Sequence, residues 1–141
     1  MQLPTKRVMS IELAKGLAEA AKAHGRSLGH NAMIVAVVDD GGHLVYLERM
    51  DGVSPGTIDV AVLKARSSAM FRRESKAFED TVASGLIGLV SIPGMAAFEG
   101  AVPVLAEGDV IGAIAVSGLT KELDGTIAAA AAAAVDNLLT D

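Results

Sequence analysis

Apolar positions recur at helical spacing after Ser10: Leu13, Leu17, Ala20, His24 and Leu28 share one face. The pattern predicts a helix from Ser10 to about His24. Glu12 lies in its first turn, and Gly25 and Gly29 are its stop signals. Met33 to Asp39 is almost unbroken apolar and rich in valine, which predicts a strand covered on both faces. Asp39-Asp40-Gly41-Gly42 follows, and a second β-rich run from His43 to Met50 starts at once. Asp-Gly between two such runs predicts a hairpin, because glycine accepts the positive φ of a tight turn. Alternation puts Leu44, Tyr46 and Glu48 on one face and His43, Val45, Leu47 and Arg49 on the other.

The loop from Gly52 to Thr57 offers Ser54 or Thr57 as the cap of a helix over 58–73, with Ile58, Ala61, Val62, Ala65 and Ala69 as its stripe. A shorter helix follows over 76–84. The stretch from Gly85 to Met95 is apolar but broken by glycine and proline, and reads as a buried or interfacial loop or a lid. Pro103 marks an edge or irregular strand. Glu107-Gly108-Asp109 is a turn, and Val110 to Ser117 a strong strand in which Gly112 permits close backbone approach. Asp124 is the expected N-cap of a last helix whose seven consecutive alanines, 128–134, favour helix but give no stripe. Two hairpins separated and flanked by helices predict an α+β domain, an antiparallel sheet with helices packed on it. With no internal linker or repeat, residues 1–141 form one domain.

Composition narrows the picture. The only aromatic residues among 141 are one tyrosine and three phenylalanines, so the core is built from alanine, valine, leucine, isoleucine and methionine. Small side chains bury little per residue, which leads us to expect core-like packing between subunits. A net charge of −5 without a basic block argues against nucleic acid and against a polybasic membrane patch. There is no cysteine, hence no disulfide and no thiolate chemistry. With neither an apolar leader nor a membrane-length apolar run, a cytoplasmic location is expected.

Candidate chemistry gathers around the first hairpin and the helix after it. Arg49 and Asp51 stand at the end of the second strand. Arg49 reads equally as a structural bridge to Asp51 or as a bidentate carboxylate fork. Lys64, at the border of an apolar stripe, either snorkels to water or points at a bound anion. His24 reads as a core or interface histidine or as a haem ligand, and His43 as an edge histidine or a ligand. Ser117-Gly118 at a strand end is a turn or a ligand loop. Glu99, between Phe98 and Gly100, is an exposed loop residue or a buried general base. No phosphate loop, dinucleotide fingerprint, zinc motif or nucleophile elbow is present, and His24, His30 and His43 lack metal-site spacing.

Several segments taken together resemble the GlcG/HbpS-type haem-binding family, which also includes the PduO C-terminal domain. They are Val38-Asp39, Gly42-His-Leu-Val, Glu48-Arg-Met-Asp-Gly52, Lys64-Ala-Arg-Ser-Ser-Ala69, Ile92-Pro-Gly94, Gly100-Ala-Val-Pro-Val and Val110 to Gly118 followed by Asp124. They run in family order across nearly the whole chain. Ala101 and Ala115 stand where the family pattern has glycine. The resemblance implies a profilin-like or PAS-like fold with a five-stranded antiparallel sheet flanked by helices, and symmetric homo-oligomers from dimers to octamers. It also implies a companion role in catabolic operons.

Two functions are therefore expected. In the first, a small-ligand accessory protein binds haem or a related tetrapyrrole. Imidazole is the natural axial ligand, from His24 first and His43 second, with Arg49, Lys64 and Arg66 for the propionates. In the second, an enzyme (lyase, isomerase or hydratase) acts on a small carboxylate. There Arg49, Asp51, Lys64 and Ser117 bind the substrate, Arg49 and Lys64 holding its anion, and Asp39, Asp51, Glu99 or a histidine moves the proton, Lys64, Glu99 and Asp39 forming the catalytic set.

Overall fold

A computed structural model describes residues 1–140. Its elements run α1 (Ile11–Ser27), β1 (Ile34–Asp39), β2 (Leu44–Arg49), α2 (Thr57–Phe71), α3 (Ser75–Ala83), a short 3₁₀ turn (Ile87–Ser91), β3 (Ala101–Ala106), β4 (Asp109–Ser117), α4 (Lys121–Ala133) and α5 (Val135–Leu139). The four strands form one antiparallel sheet in the order β2-β1-β4-β3. The two hairpins thus meet through β1 and β4, their most apolar strands, both almost wholly buried. The sheet has four strands rather than the five that the family resemblance implied. Outside the two hairpins the described chain is helix, turn or loop and supplies no further strand.

Each face of the sheet has its own cover. Val35, Val37, Ile114 and Val116 pack with Leu13, Leu17 and Ala21 of α1 and Ile127, Ala128 and Ala131 of α4. Ile34, Ala36, Val38, Ala113 and Ala115 pack with Ala61, Ala65 and Ala69 of α2. Small residues dominate the second face, so α2 lies close to the strands. Gly112 allows the tightest approach: a Cβ there would stand 2.1 Å from the Val38 carbonyl oxygen. Pro103 does lie on an edge strand, where its missing N–H costs no ladder bond.

Several local expectations change. The alternation of β2 is interrupted by a register shift between Val37 and Val38, opposite Val45. Val45 therefore joins Tyr46 on the α1 side, while Leu47 keeps the α2 side. α1 runs on to Ser27, and its buried stripe is Leu13, Ala14, Leu17, Ala18, Ala21 and Gly25. His24 sits at the margin of that stripe and is half-buried. α4 starts one turn before Asp124, with Thr120 as its N-cap accepting from the Leu123 N–H. The 85–98 segment is not buried within the chain. Leu86, Ile87, Val90 and Phe98 are all more than half exposed. No described helix is long and apolar enough to cross a membrane.

Candidate functional site

At the end of β4 the strand carries Ser117 inward, and α2 and the N-terminal turn of α4 close on it from two sides. Between them lies a cleft of about 300 Å³, lined by Thr57, Val60, Lys64, Phe98, Glu99, Ser117, Gly118, Leu119, Lys121 and Asp124. Three residues singled out in the sequence, Lys64, Glu99 and Ser117, thus come together. Asp124 joins them, and the sequence signal at that position pointed only to a helix cap.

Lys64 does not snorkel. It is 2% exposed, and its Nζ donates to the Val116 carbonyl at 2.7 Å and the Glu99 carbonyl at 3.2 Å. The Asp124 Oδ2 stands 3.5 Å away. An ammonium group has three N–H donors, and these three partners account for all of them. Burial pushes the Lys64 ammonium below the ordinary lysine range, partly offset by the Asp124 charge. Burial likewise pushes the Asp124 carboxyl up, against the pull of Lys64 and the Leu119 N–H. Gly100 makes the arrangement possible. Its φ is +133°, and a Cβ there would come within 2.2 Å of the Lys64 Nζ.

The other predicted site residues lie elsewhere. Arg49 pairs with Ile34 on the strand that also pairs with Ser117, but neither Arg49 nor the exposed Asp51 lines the cleft. Arg49 and Lys64 thus do not line the same cleft, and Lys64 faces Asp124. Asp39 pairs opposite Gly112, five residues along β4 from Ser117, roughly 17 Å away at strand rise. Its Oδ1 accepts from the Gly41 and His43 N–H groups, each at 2.9 Å, and so holds the hairpin turn.

A second feature surrounds that turn. The Asp39 Oδ1 also lies 3.3 Å from His43 Nδ1. Gly42 rests on α2: a Cβ there would meet Arg66 Cγ at 2.8 Å and Met70 Cγ at 3.2 Å. Beyond Arg66 lies an apolar groove of about 120 Å³, lined by Arg66, Ser67, Met70, Phe71, Ile92, Pro93, Gly94 and Met95. Ser67 fixes its outer wall. The single hydroxyl proton is shared between the Leu63 carbonyl at 2.8 Å and the Gly94 carbonyl at 3.3 Å, and the oxygen accepts from the Ala96 N–H. Ser68 caps the end of α2 by donating to the Arg73 carbonyl. Neither His24 nor His43 lines the cleft or the groove; the His43 side chain stands exposed on the turn that rests against Arg66 and Met70.

Known proteins share this architecture. The family model described as "Haem degrading protein HbpS-like" matches residues 9–133. Protein GlcG of Escherichia coli (strain K12) is 38% identical over 115 residues, covering 82% of this chain and 85% of GlcG. The crystal structure of Klebsiella pneumoniae protein ORFY superposes with a TM-score of 0.88 at 27% identity, covering 96% of this chain and 97% of that one. A double mutant of Streptomyces reticuli HbpS superposes with a TM-score of 0.84 at 30% identity, covering 93% and 89%. The chain belongs to the HbpS-like family.

Proposed function

We propose that this protein binds haem or a related tetrapyrrole as an accessory protein, using the groove beside the first hairpin, with His43 as the axial ligand. The observation that carries this reading is the Asp39–His43 pair on a turn seated against Arg66 and Met70. Metal-binding imidazoles are commonly oriented by a carboxylate on the other ring nitrogen. Asp39 stands at Nδ1, which leaves Nε2 for the ligand. Haem, when bound, supplies an iron that takes an imidazole nitrogen.

The residues present suit such a group in kind. Arg66 offers a guanidinium to a propionate. Met70, Phe71, Ile92 and Met95 offer an apolar shelf, with thioethers that adapt to a flat ring. The groove of one chain is too small to enclose a macrocycle. The exposed Leu86, Ile87 and Val90 continue the apolar surface nearby, and a homo-oligomer would cover it. His24, the first candidate from the sequence, has no carboxylate partner among the described residues, whereas His43 has Asp39.

The test is a haemin titration of the purified protein followed by absorption. A saturable, stoichiometric Soret shift lost in His43→Ala and kept in His24→Ala and His30→Ala is expected. A shift lost in His24→Ala instead, or insensitive to all three substitutions, overturns the assignment.

A further inference from the structure

The cleft at the end of β4 looks at first like an anion site, with two lysines and a helix N-terminus around it. Its charges say otherwise. Lys64 is paired with Asp124. Lys121 is paired with Glu79 at 2.7 Å. The positive end of α4 already holds Asp124 and Glu122 in its first turn. Glu99 adds a negative charge to the lining with no ion-pair partner among the described residues. A carboxylate entering here would find every cation spent and one anion facing it. An ammonium ligand gains no net attraction either, because the lining itself, Lys64 and Lys121 against Glu99 and Asp124, is formally neutral.

One polar group in the cleft is uncommitted. Ser117 is 2% exposed, and among the described residues its hydroxyl has no hydrogen-bond partner. Every fully sealed side-chain polar atom of the described residues is partnered, so the Ser117 Oγ keeps its small accessible surface, and that surface opens on the cleft. A hydroxyl both donates and accepts. Val60, Phe98 and Leu119 supply an apolar wall opposite.

We propose that this cleft is a binding site for a small uncharged alcohol, whose hydroxyl pairs with Ser117 and whose carbon chain lies on Val60, Phe98 and Leu119. Most buried side-chain polar atoms have at least one hydrogen-bond partner, and a ligand hydroxyl would supply one to Ser117. This site is separate from the haem groove and does not depend on it.

The test uses three probes with the same carbon skeleton: 1-propanol, propionate and propylammonium. Each is titrated into the intact ¹⁵N-labelled protein, and the backbone amides of Glu99, Gly118 and Leu119 are followed. Saturable shifts with 1-propanol, and at least tenfold weaker binding of both ions, are expected. Ser117→Ala should weaken 1-propanol binding about tenfold, the equivalent of one good hydrogen bond. Because that hydroxyl makes no hydrogen bond among the described residues, the variant should keep the wild-type amide spectrum away from the cleft. A Val60→Asp variant, which places a charge on the apolar wall without touching Ser117, should also lose 1-propanol binding. Tighter binding of propionate, no saturable shift with 1-propanol, or 1-propanol binding unchanged in Ser117→Ala each overturns the proposal.

Discussion

The Lys64 ammonium lies 3.5 Å from the Asp124 carboxylate, and both side chains are almost wholly buried. The pair ties α2 to α4, and through the Val116 and Glu99 carbonyls it also ties both to β4 and to the chain entering β3. A buried ion pair is weak evidence of net stabilisation, yet removing one partner strands a charge. Lys64→Met and Asp124→Leu should therefore each cost about 3–5 kcal/mol. The double replacement Lys64→Met/Asp124→Leu should recover most of that loss. Urea unfolding of the four proteins measures it. Costs that simply add would show that the two side chains act independently.

Gly112 should be the least replaceable glycine in the sheet. Gly112→Ala drives a Cβ into the Val38 carbonyl, so the cost should reach or exceed the 1–3 kcal/mol (about) of ordinary overpacking. Gly56→Ala, with open space around it, should be close to neutral. The same unfolding experiment compares them, and amide exchange in β1 and β4 should rise only in the first variant.

Much of this fold is legible in the sequence because its signals are local. The valine-rich run, Asp-Gly turn and alternating return strand mark the first hairpin, and Gly108 with the strand after it marks the second. Lys64 is different. Two of its partners, 35 and 52 residues away, are backbone carbonyls, which no side-chain pattern reports. The only hint was its place at the border of a stripe rich in small residues, Ala61, Ala65 and Ala69. Asp124 misled for a related reason. Its carboxylate accepts from the Leu119 N–H behind it, while Thr120 does the capping.

Acid sensitivity should have a named contributor. Lys22 donates to Glu48 at 2.7 Å, and Tyr46 donates to it at 2.7 Å. These bonds hold the Glu48 carboxyl below the ordinary glutamate range. A carboxyl depressed on folding adds stability that is fully present above its unfolded value, about 4.3, and is lost as pH falls through its lower folded value. Glu48→Gln should therefore lower the thermal midpoint at neutral pH and flatten its decline in acid. Parallel curves for variant and wild type below pH 5 (roughly) would contradict this.

Ser67 should govern the groove wall without touching a ligand's iron. Ser67→Ala leaves the Ala96 N–H and the Gly94 carbonyl without their partner, a loss of about 1–3 kcal/mol. Faster amide exchange at Ala96 and weaker haemin binding are expected, with the Soret position of the bound form unchanged. A shifted Soret position would mean that Ser67 acts on the iron's ligand set.

The most direct measurement of the haem assignment is chemical rescue. His43→Ala is saturated with haemin, its absorption spectrum is recorded, and free imidazole is added. The account predicts an altered spectrum that imidazole returns to the wild-type form, while His24→Ala needs no rescue. A His43→Ala spectrum identical to wild type before any imidazole is added would contradict it.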